Sequence, residues 1–453
     1  MAERQPEWKS SIRQWAAKPL LEPIATNVGI VGFSNMDGRL DGQQLQFQSI
    51  GEHHYLYVGH PWSGGISIID VTSPKDPRVA AFIPTPNEHT WHIKIQVADD
   101  ILMASCEVAF FKPGADASQA WPGVRLFDVS DPTDPRLLSH WAGSETKGYG
   151  VHRSWWNGGQ YAYLSNMIDA PGVKYHWREG RTRVMSILDL SDPEAPRHVS
   201  DFWHPVQLAG GPELRDETFG VHFPLVNGDR AYIAYSDGGF GIVDVTDPEQ
   251  PSLISHMRTF PDLTDGQTHS CVPLPDRGLL VVCEEPMANF GLEGPKNIRL
   301  WDISDEVNPT EISTLPIPEP TDAEPYPTYF HKGERFGPHN LHENHQGTKQ
   351  VSDKVYNAYM NAGLRVFDIS DPAQPRETAS FMPPSPTEIM DPRPYMRIFD
   401  VVHGGVRDVC SQDVLVDPRG YIYLSGFNDG IWILEETGLA ANQIGDDGSP
   451  NDE

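Results

Sequence analysis

The sequence predicts an all-β fold: a seven-bladed β-propeller of four-stranded blades, the last blade closed by a strand from the N-terminal end. Three observations lead there. A short apolar strand ending in an acid recurs seven times, a histidine recurs in register ahead of a neighbouring strand, and successive acids lie about 60 residues apart. That period is one compact blade of about 40–45 residues with extra length in its loops.

Taken in order, residues 1–23 are a polar segment with Trp8 and Trp15, enough for a helical turn or two, and carry no evident chemistry. The propeller occupies 24–436, and residues 437–453 read as a flexible acidic C-terminal tail. Within the propeller, Asn27–Phe33 is a strand. Gly65–Asp70 then precedes a turn ending at Pro74, and Gly123–Asp128 precedes one ending at Pro132. Four more copies end at Asp189, Asp244, Asp302 and Asp368, and a seventh, Gly430–Glu435, ends in Glu. Each repeat offers four strands: a histidine-bearing one, a Tyr-rich one such as Tyr161–Ser165, the acid-terminated one, and one after the proline turn such as Arg78–Ile83. Four-stranded units in tandem read as propeller blades. Only six strands follow proline turns, so residues 27–33 are expected to supply the seventh by pairing with 430–434. The acid itself is turn chemistry: its carboxylate accepts the amides that follow, and proline presets the backbone. Arg125, Arg299 and Arg365, each three residues before an acid, are expected to be structural ion-pair or turn partners rather than substrate clamps.

The apolar run with its terminal Asp resembles the LVIVD repeat, and the resemblance extends from about residue 55 to 435. It implies the fold and is almost silent on function, since one fold hosts many activities.

A formal charge of −29 argues against nucleic acid or an anionic membrane as partner. With no apolar h-region at the start and no run of about 18 apolar residues, neither export nor spanning is signalled, and the cytoplasm is expected. Cys106, Cys271, Cys283 and Cys410 lack metal-type CxxC spacing and read as free thiols. A closed propeller leaves no sheet edge that demands a partner, so oligomeric state is not readable.

Function concentrates on one face. The long segments follow the second strand (106–122, 166–182, 284–296) or precede the first (140–151, 203–221, 256–268, 316–341, 383–412). In an up-and-down blade both classes emerge on the same side, where first strands rim the central channel. His92, His152, His222, His269 and His342 begin those first strands, and Asp413 takes the position in the final copy. Five imidazoles around one axis suit a transition metal: Fe(II) is favoured, with Mn, Zn or Cu as alternatives. His89 is a candidate supporting residue, and His345 points away from the axis if its strand alternates. The run His339–His345 has one residue too few for a zinc-protease HExxH. Glu107 and Glu284, after matching cysteines, are candidates for orienting ligands or for acid–base work, with Asp413 as ligand or general base. Arg153, with Tyr149, Trp155 and Trp156 nearby, suits an anionic or aromatic small-molecule substrate.

The expected function is a metal-dependent enzyme, foremost an oxidoreductase. The layout is similar to that of carotenoid-cleaving oxygenases, whose seven-bladed propellers hold a non-haem iron through four axial histidines, although none of that family's sequence motifs occurs. A metal-dependent lyase or hydrolase is the second reading, and a non-catalytic interaction platform the third.

Overall fold

The computed structural model describes residues 19–143, 149–175, 178–209, 219–259, 266–288, 293–391 and 408–438. Trp8, Trp15 and the tail beyond residue 438 lie outside the described residues. The chain is built of antiparallel sheets. Strands Leu45–Ile50, His53–His60, Gly65–Asp70 and Arg78–Pro84 pair in sequence order, and the same meander recurs down the chain. Adjacent meanders share bridges in two places: Gly150 pairs with Glu107, and Ser236 with Thr268.

The repeated acid behaves as its turn requires. Asp70, Asp128, Asp189, Asp244, Asp302 and Asp368 each accept the amide N–H two residues on, at 2.8–2.9 Å. Arg136, Arg197 and Arg376 on the following strands then pair with Asp128, Asp189 and Asp368. Of the arginines three residues before an acid, two make ion pairs, Arg299 with Glu284 and Glu311, and Arg365 with Glu377. Arg125 instead lies over the Phe127 ring and donates to His92.

The apolar residues on each sheet face pack against the next sheet in sequence. Ile66 and Ile68 meet Leu102 and Ala104; Val124 and Leu126 meet Ala162 and Leu164. Leu45, Phe47 and Leu56 from the first meander pack with Leu415, Tyr423 and Ile433 from the last, so the core returns to its start. The N-terminal part of the chain stitches this junction. Val28–Ser34 pairs antiparallel with Ile431–Glu436, the pairing expected for the missing strand, and Ile24–Thr26 adds to Ser380–Met382 of the preceding sheet.

Two departures from the sequence reading concern loops. Residues 166–182 were expected to form an irregular segment; instead Tyr161–Tyr175 and Arg178–Asp189 continue as one long hairpin. The segment 203–221 carries a short helix, Pro205–Ala209. No helix among the described residues is long and apolar enough to cross a membrane.

Candidate metal centre

The first strands of several meanders share a local irregularity. Register slips between Val151 and Ser154, between Phe219 and Phe223, between Thr268 and Ser270, and between Ser411 and Asp413. A bulge of this kind turns a side chain out of the strand's alternation. The residues it releases include His152, His222, His269 and, in the last copy, Gln412 rather than Asp413. At the first of these, Gly150 has φ +95° and a Cβ there would stand 2.1 Å from Cys106 O. Only glycine therefore lets the strand come close enough to set His152 beside Glu107.

Four imidazoles stand in one arc: ring centroids are 4.8 Å apart for His152 and His222, 4.3 Å for His222 and His269, and 4.4 Å for His269 and His339. Each Nδ1 is held from outside the arc. His152 Nδ1 donates to Glu107 Oε2 at 2.8 Å, His222 Nδ1 to His269 O at 2.8 Å, and His339 Nδ1 to Gln412 O at 2.6 Å. His269 Nδ1 is 2.9 Å from Ser270 Oγ. The Nε2 atoms face inward: His152 and His222 are 3.1 Å apart there, and those of His269 and His339 are each 3.8 Å from a Glu285 oxygen. One candidate ligand atom each from His222, His269 and Glu285 lies within 4.8 Å of the others.

The tautomers follow from the acceptors. A carbonyl or carboxylate at Nδ1 fixes the proton there, so in neutral His152 and His222 both Nε2 lone pairs confront each other at 3.1 Å. A shared cation relieves that repulsion. Neutrality is favoured because His222, His269 and His339 are held well below 6.5, first by burial and then by neighbouring charges and imidazoles. Neutral imidazole with its other nitrogen hydrogen-bonded is the form in which histidine ligates metals. Carboxylates are balanced locally: Arg183 Nη2 meets Glu107 Oε1 at 2.5 Å, and Arg335 Nη1 meets Glu285 Oε1 at 2.7 Å.

Next to the imidazoles is a buried charged group. Arg153, fully buried, donates to Asn340 Oδ1 at 2.8 Å and to Glu343, and its guanidinium lies 3.8 Å from the Phe223 ring centre. Asp413 accepts Leu45 N–H at 2.7 Å and Val414 N–H at 3.0 Å, and burial together with Glu343 raises it to about 7. Lys94, 1% exposed, is lowered to about 7 by burial and by Arg153.

The residues singled out by sequence thus divide. His152, His222, His269 and Glu107 come together. His342 stands apart, its Nε2 donating to Lys349 O at 2.7 Å and its Nδ1 accepting Val416 N–H at 3.2 Å. His92 is engaged by Ser105 O and Arg125, each at 3.1 Å. Glu284 accepts Arg299 Nε at 3.0 Å and Asn297 N–H at 2.8 Å, leaving Glu285, one residue on, to face the imidazoles. Arg153 and Asp413 sit in the buried charged group rather than at an open mouth. His339, Glu285 and Lys94 were missed. In this copy the first strand shrinks to a single bridge, Leu341 to Asn357, and two histidines three apart compete for one position.

The LVIVD repeat model matches residues 225–259 and 353–382. No curated protein matches the chain. Among solved structures, the computationally designed Ika8 protein aligns over 92% of this chain and 99% of its own, at 9% identity and a TM-score of 0.44. Both matched segments span an acid-terminated strand, its proline turn and the strand that follows. The chain thus carries LVIVD repeats at these two places, in antiparallel sheets consistent with a β-propeller.

Proposed function

We propose that seven four-stranded blades surround an axis on which His152, His222, His269 and His339 hold a divalent transition metal through Nε2, with Glu285 beside it, and that this centre serves an enzyme acting on a small organic molecule. The blade count is supported by the recurring meander and by the core that returns from the last sheet to the first. The observation that carries the metal is the set of outward-held Nδ1 atoms with inward-facing Nε2 atoms, above all the 3.1 Å approach of His152 and His222. Four neutral ligands leave a divalent ion its full charge, so Fe(II) would supply O₂ chemistry and Zn²⁺ would supply Lewis acidity alone. We favour the first, an oxidoreductase.

In this reading the chain's own groups have separate tasks. Glu107 fixes the orientation of His152 and its tautomer, as an outer carboxylate does at metal-binding histidines. Glu285, fixed by Arg335, is placed to accept a proton beside the imidazoles. Elemental analysis of protein purified without a His-tag tests the site: about one equivalent of metal is expected, lost on replacing any of the four histidines by alanine. For the iron form under nitric oxide, an electron paramagnetic resonance signal of an Fe(II)–nitrosyl adduct is expected, because O₂ chemistry needs an open position. Four alanine variants that all keep full occupancy would sink the axial reading.

A further inference from the structure

Among the described residues, all but one of the cations grouped around the imidazoles are engaged. Arg153 donates to Asn340 and Glu343, Arg183 to Glu107, and Arg335 to Glu285. Lys94 differs: its Nζ is buried and no described residue accepts a hydrogen bond from it. Lys94 O accepts Ser105 N–H at 2.9 Å, and Ser105 Oγ meets Ser154 Oγ at 2.7 Å, two residues from His152, so Lys94 adjoins the strand that carries the imidazole arc; its charge also bears on His222, His269 and His339. A second donor is adjacent. Gln44 Oε1 accepts Ile95 N–H at 2.8 Å, next to Lys94 in the chain, while its Nε2, also buried, has no acceptor. A buried ammonium without an acceptor is costly, and a buried amide N–H without one less so. Two such donors, one on Lys94 and one on a side chain bonded to its neighbour Ile95, describe a place for oxygen atoms carrying negative charge.

We infer that Lys94, assisted by Gln44, anchors the carboxylate of a small organic acid bound on the axis, whose other end reaches the position enclosed by the four histidines. The inference rests on the axial reading of the preceding subsection and narrows its substrate class to carboxylates. Glu285, Glu343 and Asp413 act on Lys94 electrostatically without accepting from it, so they oppose the downward pull of burial and of Arg153 while leaving its protons for the ligand.

Isothermal titration calorimetry with oxalate, on Co(II)-loaded and on metal-free full-length protein, tests this in the wild type, Lys94→Met and Lys94→Gln. Both substitutions replace a buried charge with a neutral side chain of similar length, and a circular-dichroism melt checks that each variant folds. The expected result is oxalate binding by the wild type that weakens at least tenfold in both variants while Co(II) content stays the same. Equal oxalate affinity in the folded variants overturns the inference, as does an absence of oxalate binding in both forms of the wild type, which would leave water as the partner of Lys94. If Co(II) is not taken up but metal-free protein binds oxalate in a Lys94-dependent way, the anchor stands and the metal reading fails.

Discussion

Replacing Glu107 by Gln separates the support of the imidazole arc from the arc itself. The side chain is 1% exposed, and its two oxygens serve two partners, His152 Nδ1 at 2.8 Å and Arg183 Nη2 at 2.5 Å. Glutamine keeps the volume and one carbonyl oxygen but turns the other oxygen into a donor, so one partner loses its acceptor and Arg183 loses its nearby counter-charge. Outer carboxylates of this kind set metal affinity by roughly 10–100-fold. That corresponds to about 1.4–2.7 kcal/mol. Loss of a hydrogen bond to a charged group should lower folding stability by about 1.5–3 kcal/mol as well. Zn²⁺ competition against a chromophoric chelator reads the first quantity and urea denaturation the second. Glu284→Gln is the control, since its carboxylate serves Arg299 and Asn297. It should lose stability by a similar amount and keep its affinity. A folded Glu107→Gln protein that binds Zn²⁺ within twofold of the wild type would refute the assignment of Glu107 as the group that orients a metal ligand.

His339→Ala should abolish metal binding, whereas His342→Ala should keep the metal and destabilise the fold by roughly 2–4 kcal/mol, by leaving a cavity and two backbone groups without partners; elemental analysis beside a urea titration distinguishes them. Stability should fall in acid. His342 is lowered from 6.5 to about 4 by burial, so the unfolded chain binds its proton first, and its contribution is present above pH 6.5 and lost as pH falls toward 4. At about 1.4 kcal/mol per pH unit that loss amounts to roughly 3 kcal/mol for this group, read as a shallower acid limb in the stability–pH curve of a His342→Gln variant. Deleting the chain through Ser34 strips the partner of Ile431–Glu436 and should lower the melting temperature and promote association through the bared edge, checked by calorimetry and light scattering; an unchanged melt with a monodisperse protein would count against it.

The features that were legible are those whose physics is local. An Asp that accepts the amide two residues on, with proline after it, states its turn within five residues, and the pairing of 28–34 with 431–436 followed from counting strands. His152, His222 and His269 were legible because each lies a constant distance before a second strand. His339 was not, since the insertion between it and Lys354–Ala358 destroys that spacing, and a single bridge leaves no alternation to read. Glu285 lies just past the end of Leu279–Glu284, where strand alternation stops predicting direction. Gln412 and Asp413 exchanged roles through a bulge, which inserts a residue without a sequence mark. The hairpin over 161–189 was hidden by Pro171 and Gly172, which read as loop because a hairpin this long is held by its cross-strand partners and not by local propensity.

The join between Val28–Ser34 and Ile431–Glu436 also bears on how the protein is made. About 400 residues separate the two strands, so at 5–20 residues per second the early one waits roughly 20–80 s on the ribosome before its partner is synthesised. Until then Ile30 and Phe33, 47% and 42% exposed even in the finished fold, sit on an unpaired strand beside other nascent chains. Folding that must end with its most distant contact is slow and open to mispairing, and two chains caught at this stage could exchange N-terminal strands. At equal expression level, slower elongation lengthens that wait and should therefore raise the share of strand-swapped dimers, an outcome visible by size-exclusion chromatography of freshly made protein.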